Sequence, residues 1–172
     1  MKKDKENQLE LFWPRLARIA SSYEAVPQLQ QELRQEMALA IWQAFDSFRG
    51  ESSQETFLYR IAHNVAVGHV RKQVKQLKTS PESHDIPSNL SLEQDLSNDQ
   101  QLAHLMDAIR QLSLIQRQLI TLSLDGIKQQ DIAKILGITE NNVAVRVNRA
   151  KKALQQIMTN NSSATYSTER KL

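Results

Sequence analysis

The sequence predicts an all-α protein, two small helical domains joined by a flexible acidic linker, and three observations carry that prediction. Helix breakers are scarce, with four glycines and four prolines in 172 residues. Apolar residues recur at helical steps along most of the chain, and β-branched residues rarely alternate with polar ones. Charge, finally, is divided into blocks. Residues 1–78 carry 12 basic against 9 acidic side chains, a net of +3. Residues 79–102 carry no Lys or Arg and five acids (Glu82, Asp85, Glu93, Asp95, Asp99), a net of −5. Residues 103–158 carry 8 basic against 4 acidic, a net of +4, and the tail from Thr159 adds +1, which returns the chain's overall +3. Two basic blocks around an acidic one suggest a polyanionic partner.

The same composition excludes several classes. There is no cysteine, so disulfides and thiolate metal sites are out. The first eight residues are polar and charged, unlike a signal peptide, and no run approaches the roughly 18 apolar residues of a membrane span. A cytoplasmic location is expected. Each domain would fall at or below about 80 residues, a size at which a lone core is marginal. That marginality, with the opposite charges of linker and domains, predicts a free form folded on itself that hides both nucleic-acid surfaces.

Along the first domain, residues 9–20 are apolar on one face and read as a helix. A longer helix follows Pro27, with Leu29, Leu33, Met37, Ile41 and Phe45 spaced by four. Gly50 breaks that pattern, and Glu51 to Gln54 form a polar loop. A third helix begins near Glu55 with Phe57, Leu58, Ile61, Ala62, Val65 and Val70, and ends in Arg71, Lys72, Lys75 and Lys78. Residues 79–102, with Pro81, Pro87 and several serines, read as the linker. Fully extended, the twenty residues from about Thr79 to about Asn98 would reach on the order of 70 Å. That spans about two turns of DNA at ~34 Å per turn. The second domain, residues 103–158, reads as four shorter helices: Leu105 to Leu112, Ile115 to Leu124, Gln129 to Leu136, and Glu140 to about Met158. Residues 159–172, rich in Asn, Ser and Thr, are predicted to be disordered.

The sharpest motif is Gln130 to Thr139 followed by the basic stretch Glu140 to Lys152, which has the form of a helix-turn-helix. Ala133 is small where two helices must approach. Gly137 suits the left-handed residue that ends the first helix, and Thr139 is a good cap for the second. Val143, Val147, Ala150 and Leu154 should face the core, leaving Asn141, Asn142, Val145, Arg146 and Arg149 outside. That outer set suits a major groove: Asn pairs bidentately with adenine, Arg with guanine, and Val meets a thymine methyl. Arg149, Lys151 and Lys152 are better placed for phosphates, which position without specifying.

With that motif near its C-terminal end, the chain resembles the extracytoplasmic-function sigma factors of bacterial RNA polymerase over about residues 9–78 and 103–158. The matching pieces are Glu32-Leu33-Arg34-Gln35-Glu36, the spacing Trp42, Phe45, Phe48, and Arg49-Gly50-Glu51-Ser52-Ser53. They continue with Thr56 to Asn64, Arg71-Lys72, Leu112 to Gln118, Asp125-Gly126-Ile127 and the helix-turn-helix. Residues 1–78 would then be a sigma region 2-like domain and residues 103–158 a region 4-like one. The resemblance implies that Glu32, Arg34, Gln35, Glu36 and Leu39 dock on the clamp of the polymerase's largest subunit. Arg49, Glu51, Ser52 and Ser53 would capture a base flipped from the minus-ten element, and Phe57, Arg60, His63, Asn64, Arg71 and Lys72 would line the melted strand's path. Thr139, Asn141, Asn142, Val145, Arg146, Arg149 and Lys151 would read the minus-thirty-five element as duplex. Further implied partners are the flap of the second-largest subunit and an anti-sigma factor; for the chain itself a monomer is the default expectation. The linker would thread the polymerase near nascent RNA. The sequence departs from the family's pattern at Phe57 (usually Trp), His63 (usually basic), Gly68 (usually acidic), Leu114 (often Pro), Lys128 (usually Ser or Thr) and Ala144 (often basic), which implies a promoter preference of its own.

Two other readings compete. A stand-alone helix-turn-helix regulator would bind operator DNA without polymerase, but it leaves the Glu32 to Glu36 signature and the basic third helix unexplained. An enzyme is disfavoured. His63, His69, His84 and His104 lack metal-ligand spacing, and no phosphate loop or nucleophile motif occurs, so neither cofactor nor metal is expected.

Overall fold

The chain's scarcity of helix breakers is reflected in its architecture: among the described residues every regular element is helical. The computed structural model describes residues 2–79 and 98–169. Helix α1 spans Lys2–Tyr23, α2 Pro27–Ala44, α3 Gln54–Thr79, α4 Asn98–Gln111, α5 Leu114–Leu124, α6 Gln129–Leu136 and α7 Glu140–Glu169, with a short 3-10 turn at Phe45–Ser47.

The first domain is a three-helix bundle whose heptad-like stripes meet. Phe12, Leu16, Ile19, Ala20 and Tyr23 from α1 pack with Leu33, Met37, Ala38 and Ile41 from α2. Leu58, Tyr59, Ala62, Ala66 and Val67 of α3 close the core. Pro27 opens α2 at the position where its missing N–H costs nothing. The Ser53 hydroxyl receives the Thr56 N–H at 3.1 Å and so caps α3. Helix α1 starts well before the predicted residue 9: Lys, Glu and Gln at its head favour helix, and Lys5 is paired with Asp46. It runs through Pro14, which withholds one backbone donor.

In the second domain the Ser113 backbone N–H reaches the Gln116 side chain at 3.3 Å, a capping box that opens α5. Ile109, Leu112, Ile120 and Ala150 form a small core with Leu105, Met106, Ala153, Leu154 and Ile157.

Three expectations change. The linker is shorter than 79–102, because Thr79 belongs to α3 and residues 98–102 to α4; residues 80–97 lie outside the described residues. The predicted disordered tail is helical from Thr159 to Glu169, since extending an established helix is far cheaper than nucleating one. Residues 170–172 lie outside the described residues. The two domains, expected to have separate small cores, share one apolar cluster: Leu119, Leu122, Ile132, Ala133, Ile135, Val143 and Val147 are continuous with the first domain's core. Helix α1 lies against α4 and α5, and α3 against α6. Cores this small gain by fusing.

Candidate nucleic-acid interface

The helix-turn-helix begins with α6, whose Ile132, Ala133 and Ile135 are buried. Its start carries no side-chain cap, as expected with Lys128 at the capping position. Gly137 ends it at φ 68° and ψ 35°, the left-handed geometry in which glycine has no Cβ penalty. The turn is closed by the Ile138 N–H to the Ala133 carbonyl at 3.1 Å. Thr139 then caps α7: its hydroxyl accepts the Asn142 N–H at 3.3 Å, and its carbonyl accepts the Val143 N–H at 3.0 Å.

Val143, Val147 and Ala150 are buried and seat α7 on its neighbours. Thr139, Asn141, Asn142, Val145, Arg146, Arg149 and Lys151 are all exposed, Val145 to 51%. Asn142, Val145, Arg146 and Arg149 fall at i, i+3, i+4 and i+7, so one stripe of the helix combines an amide, an apolar spot and two guanidinium groups. This is hydrogen-bonding equipment suited to base edges.

On the first domain a second stripe follows α3. Phe57 is half-buried, its ring 5.0 Å from that of Phe48. Arg60, Asn64, Arg71 and Lys72 are exposed along the same side. Before the helix, Arg49, Glu51 and Ser53 are exposed and Ser52 is half-buried, with Gly50 at φ 75° turning the loop. A guanidinium, an amide and an aromatic edge in line suit a single strand.

His63 does not belong to this stripe. It has no exposed surface, its Nδ1 lies 2.9 Å from the Tyr23 hydroxyl, and burial pushes its pKa down to about 3. The expectation that it lines a strand is corrected accordingly: one turn from Tyr59 and Val67, it faces the bundle interior.

On α2, Glu32, Gln35, Glu36 and Leu39 form an exposed stripe, with Leu39 57% exposed. Arg34 is set to one side, its guanidinium 5.7 Å from the Trp13 ring centre. Trp42 is half-buried.

Sequence reasoning missed the seam between the domains. Asp125, named above only within the piece Asp125-Gly126-Ile127, has a side chain 4% exposed. Its Oδ1 accepts from Arg18 Nε at 2.8 Å and its Oδ2 from the Tyr59 hydroxyl at 3.0 Å. Burial, and then the Asp125 carboxylate, push the Tyr59 phenol above its ordinary pKa. Arg60 Nη2 donates to the Lys134 carbonyl at 2.8 Å, and Arg110 donates to the Ser21 carbonyl. Arg117 lies 5.5 Å from the Tyr23 ring centre, its guanidinium pKa lowered by burial. Partners so distant in sequence leave no local signal.

Among the described residues no cluster of metal-ligating side chains occurs, and no helix is long and apolar enough to cross a membrane.

Comparison with known proteins bears on both halves. The family model described as Sigma-70 region 2 matches residues 10–76, and Sigma-70, region 4 matches residues 102–154. The ECF RNA polymerase sigma-E factor of Escherichia coli (strain K12) is 34% identical over 133 residues, covering 70% of this chain and 69% of that protein. This chain is an ECF RNA polymerase sigma factor. The Haemophilus influenzae sigma-E factor is 29% identical over 132 residues, 70% of each chain. Among solved structures, the sigma factor RpoE in complex with the anti-sigma factor NepR from Bartonella quintana aligns with a TM-score of 0.75 at 27% identity, over 91% of this sigma factor and 98% of that chain. CnrH in complex with the cytosolic domain of CnrY shares the fold, with a TM-score of 0.68 at 19% identity, over 92% and 90% of the two chains.

Proposed function

We propose that this sigma factor binds the RNA polymerase core and directs it to a discrete set of promoters through two DNA contacts. The observation that carries the reading is the division of labour on α7. Val143, Val147 and Ala150 fix the helix, and Asn141, Asn142, Val145, Arg146 and Arg149 stand free as a major-groove reading face for the minus-thirty-five element. Thr139 and Lys151 flank that face and reach phosphates.

The minus-ten element is met as a melted strand. Arg49, Glu51, Ser52 and Ser53 receive the flipped base, and Phe57, Arg60, Asn64, Arg71 and Lys72 carry the strand along α3. The stripe Glu32, Gln35, Glu36 and Leu39, with Arg34 beside it, docks on the clamp of the largest subunit, and the second domain meets the flap of the second-largest. An exposed leucine ringed by polar side chains is suited to such a surface. An anti-sigma factor is a further partner, supported by the likeness to a sigma factor solved with one. The protein works as a cytoplasmic monomer and supplies no catalytic group.

In vitro transcription with sigma-free core polymerase over a pool of genomic promoter fragments tests the reading. Initiation at a discrete promoter set only when the chain is added is the expected result. No stimulation, together with tight sequence-specific binding of duplex DNA by the protein alone, overturns it in favour of a stand-alone regulator.

A further inference from the structure

We infer that Gly68 is a positioning residue for the melted strand: it leaves a shallow notch in α3 where one nucleotide lies against the helix backbone, between the Asn64 amide and the Arg71 and Lys72 cations. The inference rests on the strand path proposed above and adds to it a residue that acts by having no side chain.

Nothing within the folded chain asks for a glycine at this position. Gly50, Gly126 and Gly137 sit at φ 75°, 76° and 68°, where a Cβ is penalised, but Gly68 does not share that geometry. It lies in the interior of α3, where glycine weakens a helix relative to alanine. Packing does not need it either. Gly68 is exposed, and a Cβ built on it would meet nothing within 4 Å beyond the helix's own backbone. The missing methyl therefore weakens the helix and relieves no clash inside this chain. What it can relieve is a clash with something bound outside.

The neighbours of Gly68 fit a nucleotide. Asn64 precedes it by one turn, and Arg71 and Lys72 follow it by one turn, all three exposed. Asn64 and Lys72 thus stand about 12 Å apart along the helix, with the bare position midway. Ile61 and Val65, half-buried on the flank toward the core, make the floor apolar. Amide, apolar floor and paired cations match a base edge, a sugar face and a phosphate in turn. Neither cation is drawn aside by its own helix: no carboxylate occurs from Thr56 to Thr79, so no acid one turn away competes for them. A methyl at position 68 would lift the nucleotide off the floor and stretch its contacts. The family pattern usually puts an acid here, which would repel a phosphate, so the notch is a feature of this chain.

Gly68→Ala and Gly68→Leu introduce good helix formers of different bulk. Thermal unfolding followed by circular dichroism should show both with Tm raised by about 1–4 °C. Strand binding is read by fluorescence anisotropy with a random-sequence single-stranded DNA pool. The binder is holoenzyme reconstituted from the full chain and core polymerase, with core alone subtracted. Affinity should fall about threefold in Gly68→Ala and on the order of tenfold in Gly68→Leu, at an unchanged salt slope. Arg71→Ala should instead lower that slope by about 0.7. Equal losses in the two Gly68 variants would mean that helix softness matters rather than bulk, and would overturn the notch. A lowered Tm in Gly68→Ala would also overturn it, because the fold itself would then need the bare position. Unchanged affinity in both Gly68 variants, with Arg71→Ala behaving as stated, overturns the notch and leaves the strand path standing. If Arg71→Ala changes neither affinity nor slope, or the parent holoenzyme binds no better than core alone, the path falls and the notch with it.

Discussion

The Tyr23 hydroxyl and His63 Nδ1 lie 2.9 Å apart, and their rings meet edge to face with centroids at 5.7 Å, sealed between α1 and α3. Burial pushes the His63 pKa from 6.5 down to about 3. The folded chain therefore refuses a proton that the unfolded chain accepts below about pH 6.5. Stability from this group is complete above that value, and it drains away as pH falls toward 3. The rate is at most about 1.4 kcal/mol per pH unit. Urea unfolding at a series of pH values should show a slope shallower by about one proton in His63→Leu. An unchanged slope would mean that the imidazole is protonated inside the fold.

Glu24 ties the α1–α2 turn to α3. Its carboxylate accepts from the Val26 N–H at 2.9 Å, His69 Nε2 at 2.9 Å and Gln73 Nε2 at 2.6 Å. Burial alone would raise its pKa, yet the bonds from His69, Val26 and Gln73 outweigh that and hold it below the ordinary carboxylate value. Its contribution is thus present above the usual carboxylate pKa and is lost as pH falls through the lowered one. Glu24→Ala, which strands partly buried donors, should cost about 1–3 kcal/mol at neutral pH. Glu24→Gln, which keeps an acceptor, should cost less. Equal losses for both in chemical denaturation would count against the hydrogen-bond account.

The contrast between these cores and the helix-turn-helix explains what was legible beforehand. Val143, Val147 and Ala150 repeat at helical spacing, and Gly137 and Thr139 are the residue types their backbone geometry demands, so local rules sufficed to orient α7. His63 sits between Arg60 and Asn64, and neighbours of that kind suggest a wet stripe. Its burial depends on Tyr23, 40 residues away. Asp125 is harder still, with partners 107 and 66 residues distant. The helical continuation past Met158 was missed because Asn, Ser and Thr are weak helix formers on their own.

Gly137→Ala isolates a backbone effect. A Cβ there would meet nothing within 4 Å, so only the positive φ of 68° is penalised. A loss of about 1 kcal/mol is expected from thermal or urea unfolding. A loss several times larger would require a steric clash that the surroundings do not contain.

Arg146 and Lys151 should respond differently to truncation. Arg146→Ala should weaken promoter binding by ~1–3 kcal/mol and relax one base preference. Lys151→Ala should weaken all sequences alike and lower the salt slope by about one. Competition binding across promoter variants at several salt concentrations separates the two. Identical, sequence-independent losses would remove Arg146 from base readout.

The separation of duties on α7 has a consequence for how such a protein can diverge. Residues 141, 142, 145, 146 and 149 support no packing, and exposed substitutions of that kind usually alter stability by less than about 0.5 kcal/mol. On the proposed reading of α7, a duplicated copy of this chain could therefore be readdressed to new genes letter by letter, without passing through intermediates that fail to fold.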